Sequence, residues 1–207
     1  MKTWLFKPFD KVAGWESLMV GLTIMLATAV IAAMSGLHTD GVLNLHLGPA
    51  VPIWVLVVQG LINWLSLGLC LLASGHWLSR TRFRLIDLFG TQALARWPLL
   101  LGVGYLALPP VGHTLRDLTE KLLQATPQTS NEVMADPAYL LDAMVVTAIS
   151  LPMLAFMAWM VWLMYHGYSL VCNLSGTRAV FSFIGALVAA MVISQLAIWL
   201  LLQSTLS

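Results

Sequence analysis

Long apolar stretches alternate with short polar segments along the whole chain. A helix needs about 20 mostly apolar residues to cross a bilayer, and five stretches reach that length. They are expected to be helical, because backbone polar groups in lipid must be satisfied within the segment. The pattern predicts an all-α integral membrane protein, with residues 1–207 forming a single five-transmembrane-helix bundle. The expected spans are 15–37, 51–77, 93–111, 138–165 and 179–203.

The third stretch has the weakest pattern of the five. Arg96 and Pro98 lie near its start, and Pro109 and Pro110 lie near its end. Proline is tolerated in a first helical turn, and an arginine side chain near a boundary can extend to the headgroups. We therefore expect a full span with Arg96 at the cytoplasmic boundary. A re-entrant segment is the alternative, because Gly/Pro-rich backbone can lie behind other helices.

Composition supports a membrane location and excludes several classes of protein. Hydrophobic residues make up 59% of the chain, charged residues make up 9%, and mean hydropathy is +0.86. A soluble domain has about 25% charged residues, so a soluble enzyme is excluded. Net charge is only +1, which gives no overall field to attract nucleic acid. The two cysteines, Cys70 and Cys172, lack the spacing of a disulfide framework or a metal site.

Basic residues are unevenly divided between the loops. Of the ten Lys and Arg residues, eight are expected on the side of the N-terminus. The other two, Arg116 and Lys121, lie in the third loop, on the opposite side of the bilayer. Because cytoplasmic loops are rich in Lys and Arg, we expect the N-terminus in the cytoplasm and the C-terminus outside. A first span retained as a helix is favoured over a cleaved signal peptide, since its apolar run continues to Met34. Short loops indicate a bacterial inner membrane.

Three segments outside the expected spans have patterns of their own. Residues 1–17 combine an apolar face with lysines, which is typical of a short amphipathic interfacial segment, although a simple anchoring flank is the alternative. The turn signal Asp40-Gly41 is followed by apolar and polar alternation over 43–47, which predicts a strand or hairpin on the outer surface. Leucines at helical spacing over 115–122 predict a small amphipathic helix.

Candidate chemistry is sparse. The sequence contains no motif for nucleotide binding, hydrolysis or hydride transfer, so we expect no enzymatic activity and no cofactor. His38, Asp40 and His46 do not have metal-site spacing. Uncharged polar residues, however, recur at similar depths in several expected spans. They are interpreted as interhelical hydrogen-bonding groups or, alternatively, as the lining of a substrate path. This polar intramembrane layer consists of Gln59, Asn63, Thr147, Ser150 and Gln195.

Two further sets of residues indicate contacts rather than chemistry. Small residues on one side of the fifth span allow close helix approach, within the bundle or in a homo-oligomer. These are Ser182, Gly185, Ala186, Ala189, Ala190 and Ser194. Basic residues on the expected cytoplasmic side can contact anionic lipid headgroups or a membrane-protein partner. These are Lys7, Lys11, Arg80, Arg82 and Arg84.

Three short motifs point to a family. Residues 84–101 (RLIDLFGTQALARWPLLL) place a glycine ahead of a proline and an aliphatic run, residues 166–179 (HGYSLVCNLSGTRA) form the last loop, and residues 6–9 read FKPF. Together with the five-span layout, these resemble the bacterial branch of the Yip domain family, the Ypt/Rab-interacting membrane proteins. The resemblance implies a non-enzymatic membrane scaffold or adaptor in membrane organisation or trafficking. A small transporter or channel that uses the polar layer is the alternative.

Overall fold

Long apolar helices dominate the computed structural model, which describes residues 8–49, 51–79, 81–124 and 137–206. A 3-10 turn at Pro8–Asp10 precedes them, and a hairpin follows the first helix. The helices are α1 (Gly14–Ser35), α2 (Ile53–Leu78), α3 (Leu85–Leu94), α4 (Trp97–Leu106), α5 (Pro109–Gln124), α6 (Pro137–Val171) and α7 (Gly176–Leu206), and the strands are β1 (Leu37–Gly41) and β2 (Asn44–Leu47).

The predicted class, a multi-pass all-α membrane protein, is confirmed. Among the described residues, α1, α2, α6 and α7 are each long and apolar enough to cross a bilayer. The segment Leu85–Leu106 and the following helix form a bent pair that adds a fifth crossing if the pair is one span. We call the end of the bundle that contains Ser35 and Ile53 the hairpin end, and the end that contains Gly14 and Leu85 the opposite end.

The third apolar segment differs most from its prediction. Helix α3 begins at Leu85 rather than near residue 93, and α4 continues from it after one tight turn in which the Arg96 N–H donates to the Ala93 carbonyl. That turn precedes Pro98, which has no N–H to donate to a helical bond. From Leu85 to Leu106 the two helices are about 33 Å long at 1.5 Å per residue. The chain then bends by 77° into α5.

Helices α1 and α3 run in parallel from the opposite end and make the most extensive helix contact of the bundle. Glycine makes this approach possible. A Cβ placed on Gly21 would lie 2.5 Å from the backbone of Ala93, and one placed on Gly90 would lie 2.9 Å from the Gly14 carbonyl oxygen. Neither position has room for a side chain, so these two backbones are in direct contact.

Helix α7 packs along α2, and its small residues are divided between two environments. One row is buried or half-buried within the chain, while the residues beside it are exposed. The inward row is Ser182, Ala186, Ala190 and Ser194, and the exposed residues are Gly185 and Ala189. Nothing in the described structure lies within 4 Å of a Cβ placed on Gly185. Close approach within this chain therefore uses only the inward row.

The N-terminal segment is not an interfacial helix where the structure describes it. Pro8–Asp10 is a 3-10 turn, and Phe9 is buried, with its ring 6.2 Å from the His166 ring and close to Gly167. The expectation that Phe9 forms part of a lipid-facing surface is wrong, because α6 offers this ring a packed site. Residues 1–7, including Lys7, lie outside the described residues.

Helix α5 lies against α6 and closes the hairpin end of α1. Its amphipathic character is as predicted, with Leu118 buried and Lys121 exposed. The Arg116 guanidinium donates to the carbonyl of Ser35, the last residue of α1. A cation at this position satisfies a free carbonyl and favours the negative end of the helix dipole.

Replacing Arg116 by glutamine is expected to lower the stability of the protein by about 1 kcal/mol, the scale of a terminal charge together with one hydrogen bond. For a chain of this size that corresponds to a fall in melting temperature of about 2–4 °C. Thermal unfolding in mild detergent measures it. Lys121→Gln is the matched control, since this exposed lysine lies on the same helix. Equal melting temperatures for the two variants would contradict the capping role.

Candidate functional site

The hairpin enters the bundle instead of lying on its surface. Its two strands pair antiparallel, with Leu37 opposite Leu47 and Gly41 opposite Asn44, so the predicted hairpin is confirmed. Its predicted surface position is wrong, because β1 packs against α1, α2 and α7 and Val42 in the turn is only 3% exposed. Irregular backbone at this depth requires partners from the surrounding protein.

Two amides of α2 hold the hairpin, one through its backbone and one through a side chain. Asn63 Nδ2 donates to the Thr39 carbonyl at 2.9 Å, and Gln59 Nε2 donates to Asp40 Oδ1 at 3.5 Å. Both amide side chains are buried, at 0% and 1% exposure for Gln59 and Asn63. Asn63 lies about 15 Å along α2 from Ile53, counting 1.5 Å per residue. The hairpin therefore reaches well into the bundle and is held there by the polar face of α2.

The hairpin carries three ionisable groups, of which His38 is buried and Asp40 and His46 are partly exposed. His46 Nε2 lies 3.3 Å from Asp40 Oδ2, the His38 and His46 rings are stacked at 5.7 Å, and His38 Nε2 lies 2.7 Å from the Pro49 carbonyl. These contacts lock the two strands together. In the part of the chain that the structure describes, no three His, Cys, Asp or Glu side chains are arranged to hold a metal ion.

The remaining members of the polar layer do not converge with Gln59 and Asn63. Thr147 and Ser150 donate to carbonyls of their own helix, those of Ala143 and Val146. Gln195 is exposed and lies beside the hairpin turn at Gly41. Among the described members of the layer, Gln59 and Asn63 both donate to the hairpin, Gln59 to the Asp40 side chain and Asn63 to the Thr39 backbone.

Arg96 is the residue whose environment the sequence patterns missed. It is 4% exposed, so the expectation that its side chain extends to the headgroups is wrong. The reason is the early start of α3, which places Arg96 about 16 Å from Leu85, near the middle of the segment. Its Nε and Nη2 groups are buried and have no hydrogen-bond partner in the described structure.

A cavity of about 40 Å³ lies between Arg96 and the hairpin. Its polar lining includes Asn63, Thr28 and Thr39, and apolar side chains such as Leu99 and Met157 complete it. That volume holds a few water molecules. The Asn63 amide oxygen, like Nε and Nη2 of Arg96, is enclosed by the protein and has no hydrogen-bond partner in the described structure.

The basic residues lie at the other end of the bundle. Lys11, Arg82 and Arg84 are exposed and precede the parallel helices α1 and α3, whereas Arg80 and Lys7 lie outside the described residues. Comparison of the chain with protein-family models, with curated proteins and with solved structures finds no match. Function is therefore inferred from the geometry of the hairpin region and of the basic end of the bundle.

Proposed function

We propose that this protein is a non-enzymatic, Yip-type integral membrane protein that acts as a scaffold or adaptor in membrane organisation or trafficking. The use of the polar layer is the observation that carries the proposal. Gln59 and Asn63 are buried and bonded to the hairpin, and the cavity that Asn63 borders measures only about 40 Å³, room for a few water molecules. A packed polar layer supports a role that depends on surfaces.

The surface offered to partners is the basic one at the opposite end. Because α1 and α3 run in parallel, the residues before their first turns are brought to the same end, and Lys11, Arg82 and Arg84 are all exposed there. Such a group of cations attracts anionic headgroups by about 1 kcal/mol for each residue near the membrane surface. Anionic lipids and an acidic surface of a membrane-protein partner or second copy are the expected ligands.

The proposal includes five spans, with the N-terminus in the cytoplasm of a bacterium and the C-terminus outside its inner membrane. The length of Leu85–Leu106 supports a full crossing, since about 20 residues suffice. A cysteine introduced by Ser207→Cys tests the sidedness. Labelling by a membrane-impermeant maleimide from outside the cell is expected, and labelling only after the cytoplasm is opened would contradict it.

Co-purification in mild detergent, followed by mass spectrometry of bound proteins and lipids, tests the scaffold role. We expect Arg82→Glu to remove bound anionic lipid or a partner that the wild type retains. Arg178→Glu is the matched control, because it makes the same charge change at an exposed position in the first turn of α7, outside the segments that precede α1 and α3. Identical sets of bound molecules for wild type and Arg82→Glu would contradict the role of this surface.

A small transporter or channel is the second candidate, and the cavity beside Arg96 is the observation that favours it. Ionisable residues at membrane depth often mark ion or substrate pathways. Reconstitution into proteoliposomes separates the two candidates. Solute flux that is lost on Asn63→Leu would replace the scaffold proposal, whereas the same passive leak from protein-containing and empty vesicles supports it.

A further inference from the structure

A cleft opens between α5, the last turn of α1 and the hairpin, and we call it the hairpin-end cleft. It consists of two adjoining cavities of about 660 and 170 Å³, which share Met34, Leu47 and Arg116 in their walls. The larger volume is within the range of about 300–1,000 Å³ that is typical of ligand sites. Arg116 is exposed, so a molecule in the cleft can reach its guanidinium.

The cleft lies at the depth of the lipid headgroups. Helix α1 ends at Ser35, and the end of an apolar span marks the boundary of the hydrocarbon core. The chain bends by 77° after α4, so α5 crosses this end of the bundle instead of continuing along it. Below the cleft, exposed apolar side chains recur at every fourth residue of α1, at Met34, Val30 and Leu26, and residues at this spacing share one helix face. An acyl chain can therefore lie along α1 while its headgroup occupies the cleft.

Two opposite charges of α5 border the larger cavity. Arg116 and Glu120 both line it, and residues four apart are neighbours on a helix surface. Arg116 donates one N–H to the Ser35 carbonyl, and a guanidinium has five N–H donors. Guanidinium donors pair well with phosphate oxygens, whereas an ionised Glu120 carboxylate only accepts hydrogen bonds. A molecule that complements both residues carries a phosphate and, close to it, a cationic hydrogen-bond donor.

We propose that the hairpin-end cleft binds one molecule of phosphatidylethanolamine. The lipid phosphate accepts hydrogen bonds from Arg116, its primary ammonium donates to Glu120, and an acyl chain lies on the apolar stripe that begins at Met34. The quaternary ammonium of phosphatidylcholine has no N–H to donate, and phosphatidylglycerol has no cation to place beside Glu120. This site is at the hairpin end, so it is separate from the basic surface of the proposed scaffold and does not depend on it.

Native mass spectrometry of the purified protein in detergent tests the site, with dioctanoyl lipids that differ only in their headgroups. We expect one phosphatidylethanolamine per chain, bound about 3- to 10-fold more tightly than phosphatidylcholine, between the strengths of an exposed ion pair and of a charged hydrogen bond. Glu120→Gln should abolish this preference. Asp117→Asn should retain it, because this exposed carboxylate on the same helix lies outside the walls of both cavities.

Arg116→Gln should weaken the binding of phosphatidylethanolamine and phosphatidylcholine alike, because both lipids carry the phosphate. The ratio of the two affinities in the Glu120→Gln protein is independent of any loss of stability, since both lipids meet the same folded protein. Equal affinities of the wild type for the two lipids would overturn the proposal, as would an undiminished preference in Glu120→Gln. Tighter binding of phosphatidylglycerol than of phosphatidylethanolamine would overturn the assignment of the headgroup.

Discussion

Replacing Gly21 by leucine is expected to prevent α1 from docking on α3. The two helices approach so closely at this point that even a Cβ on residue 21 would lie 2.5 Å from the carbonyl carbon and Cβ of Ala93 and from the nitrogen of Leu94. Two of these three atoms belong to helical backbone, which cannot rotate away as a long side chain does. The clash is relieved only if one helix moves as a whole.

The effect should be large because the contact continues along both helices. Gly90 faces Gly14 and Ser17 one to two turns towards the opposite end, so separating the helices at residue 21 also opens that contact. Overpacking typically costs about 1–3 kcal/mol, and we expect the upper end or more here. A loss of about 3 kcal/mol would lower the melting temperature by about 6–12 °C.

Thermal unfolding of detergent-solubilised protein measures the change, and two other glycines supply controls. Nothing lies within 4 Å of a Cβ placed on Gly104 or on Gly185 in the described structure. Gly104→Leu and Gly185→Leu add the same volume within helices at positions with open space beside them, so they should melt within about 2 °C of the wild type. A Gly21→Leu protein as stable as these controls would refute the close approach of α1 and α3.

The sequence predicts those parts of the fold in which the polar groups of a residue find partners within its own segment. The apolar length of α1, α2, α6 and α7 identifies them, because lipid sets the required length and apolarity of a span. Alternation over 43–47 likewise identifies the hairpin. Its position inside the bundle depends on Asn63 and the Thr39 carbonyl, which are 24 residues apart in sequence, and periodicity contains no information on that pairing.

The early start of α3 was missed for the same kind of reason. The segment before residue 93 contains the polar residues Asp87, Thr91 and Gln92. A hydropathy pattern therefore assigns it to a loop outside the membrane. In the structure the Thr91 hydroxyl donates to Leu88 and the Gln92 amide donates to Met164. Their polarity is compensated within the bundle, so a hydropathy pattern underestimates the helix. Arg96 is then displaced from the expected boundary to the middle of the segment.

The position of Arg96 near the middle of its segment brings it close to the hairpin. Arg96 follows α3, which contacts α1 along the close approach, and the Arg96 cavity is roofed by the hairpin that follows α1. The hairpin is non-helical backbone that packs between helices. Its retention by α2 is therefore the step on which the closed polar layer depends.

Replacing Asn63 by leucine is expected to release the hairpin from α2. The substitution removes the N–H group that satisfies the Thr39 carbonyl and leaves that backbone oxygen buried, at a cost of about 1–3 kcal/mol. Interhelical hydrogen bonds in membranes average only about 0.6 kcal/mol, because alternative partners are available. Here the acceptor belongs to β1, which packs against three helices, so we expect the larger value.

A cysteine at the hairpin turn reports the release directly. Val42 is 3% exposed, so Val42→Cys should react slowly with a hydrophilic maleimide, while the same protein without the substitution gives the background from Cys70 and Cys172. Adding Asn63→Leu should speed the reaction by about 5- to 150-fold, the change in opening equilibrium that corresponds to 1–3 kcal/mol. Thr147→Val is the control, because the Thr147 hydroxyl bonds only within its own helix. Equal labelling rates with and without Asn63→Leu would mean that the amide does not hold the hairpin, and the polar layer would then be free to line a path.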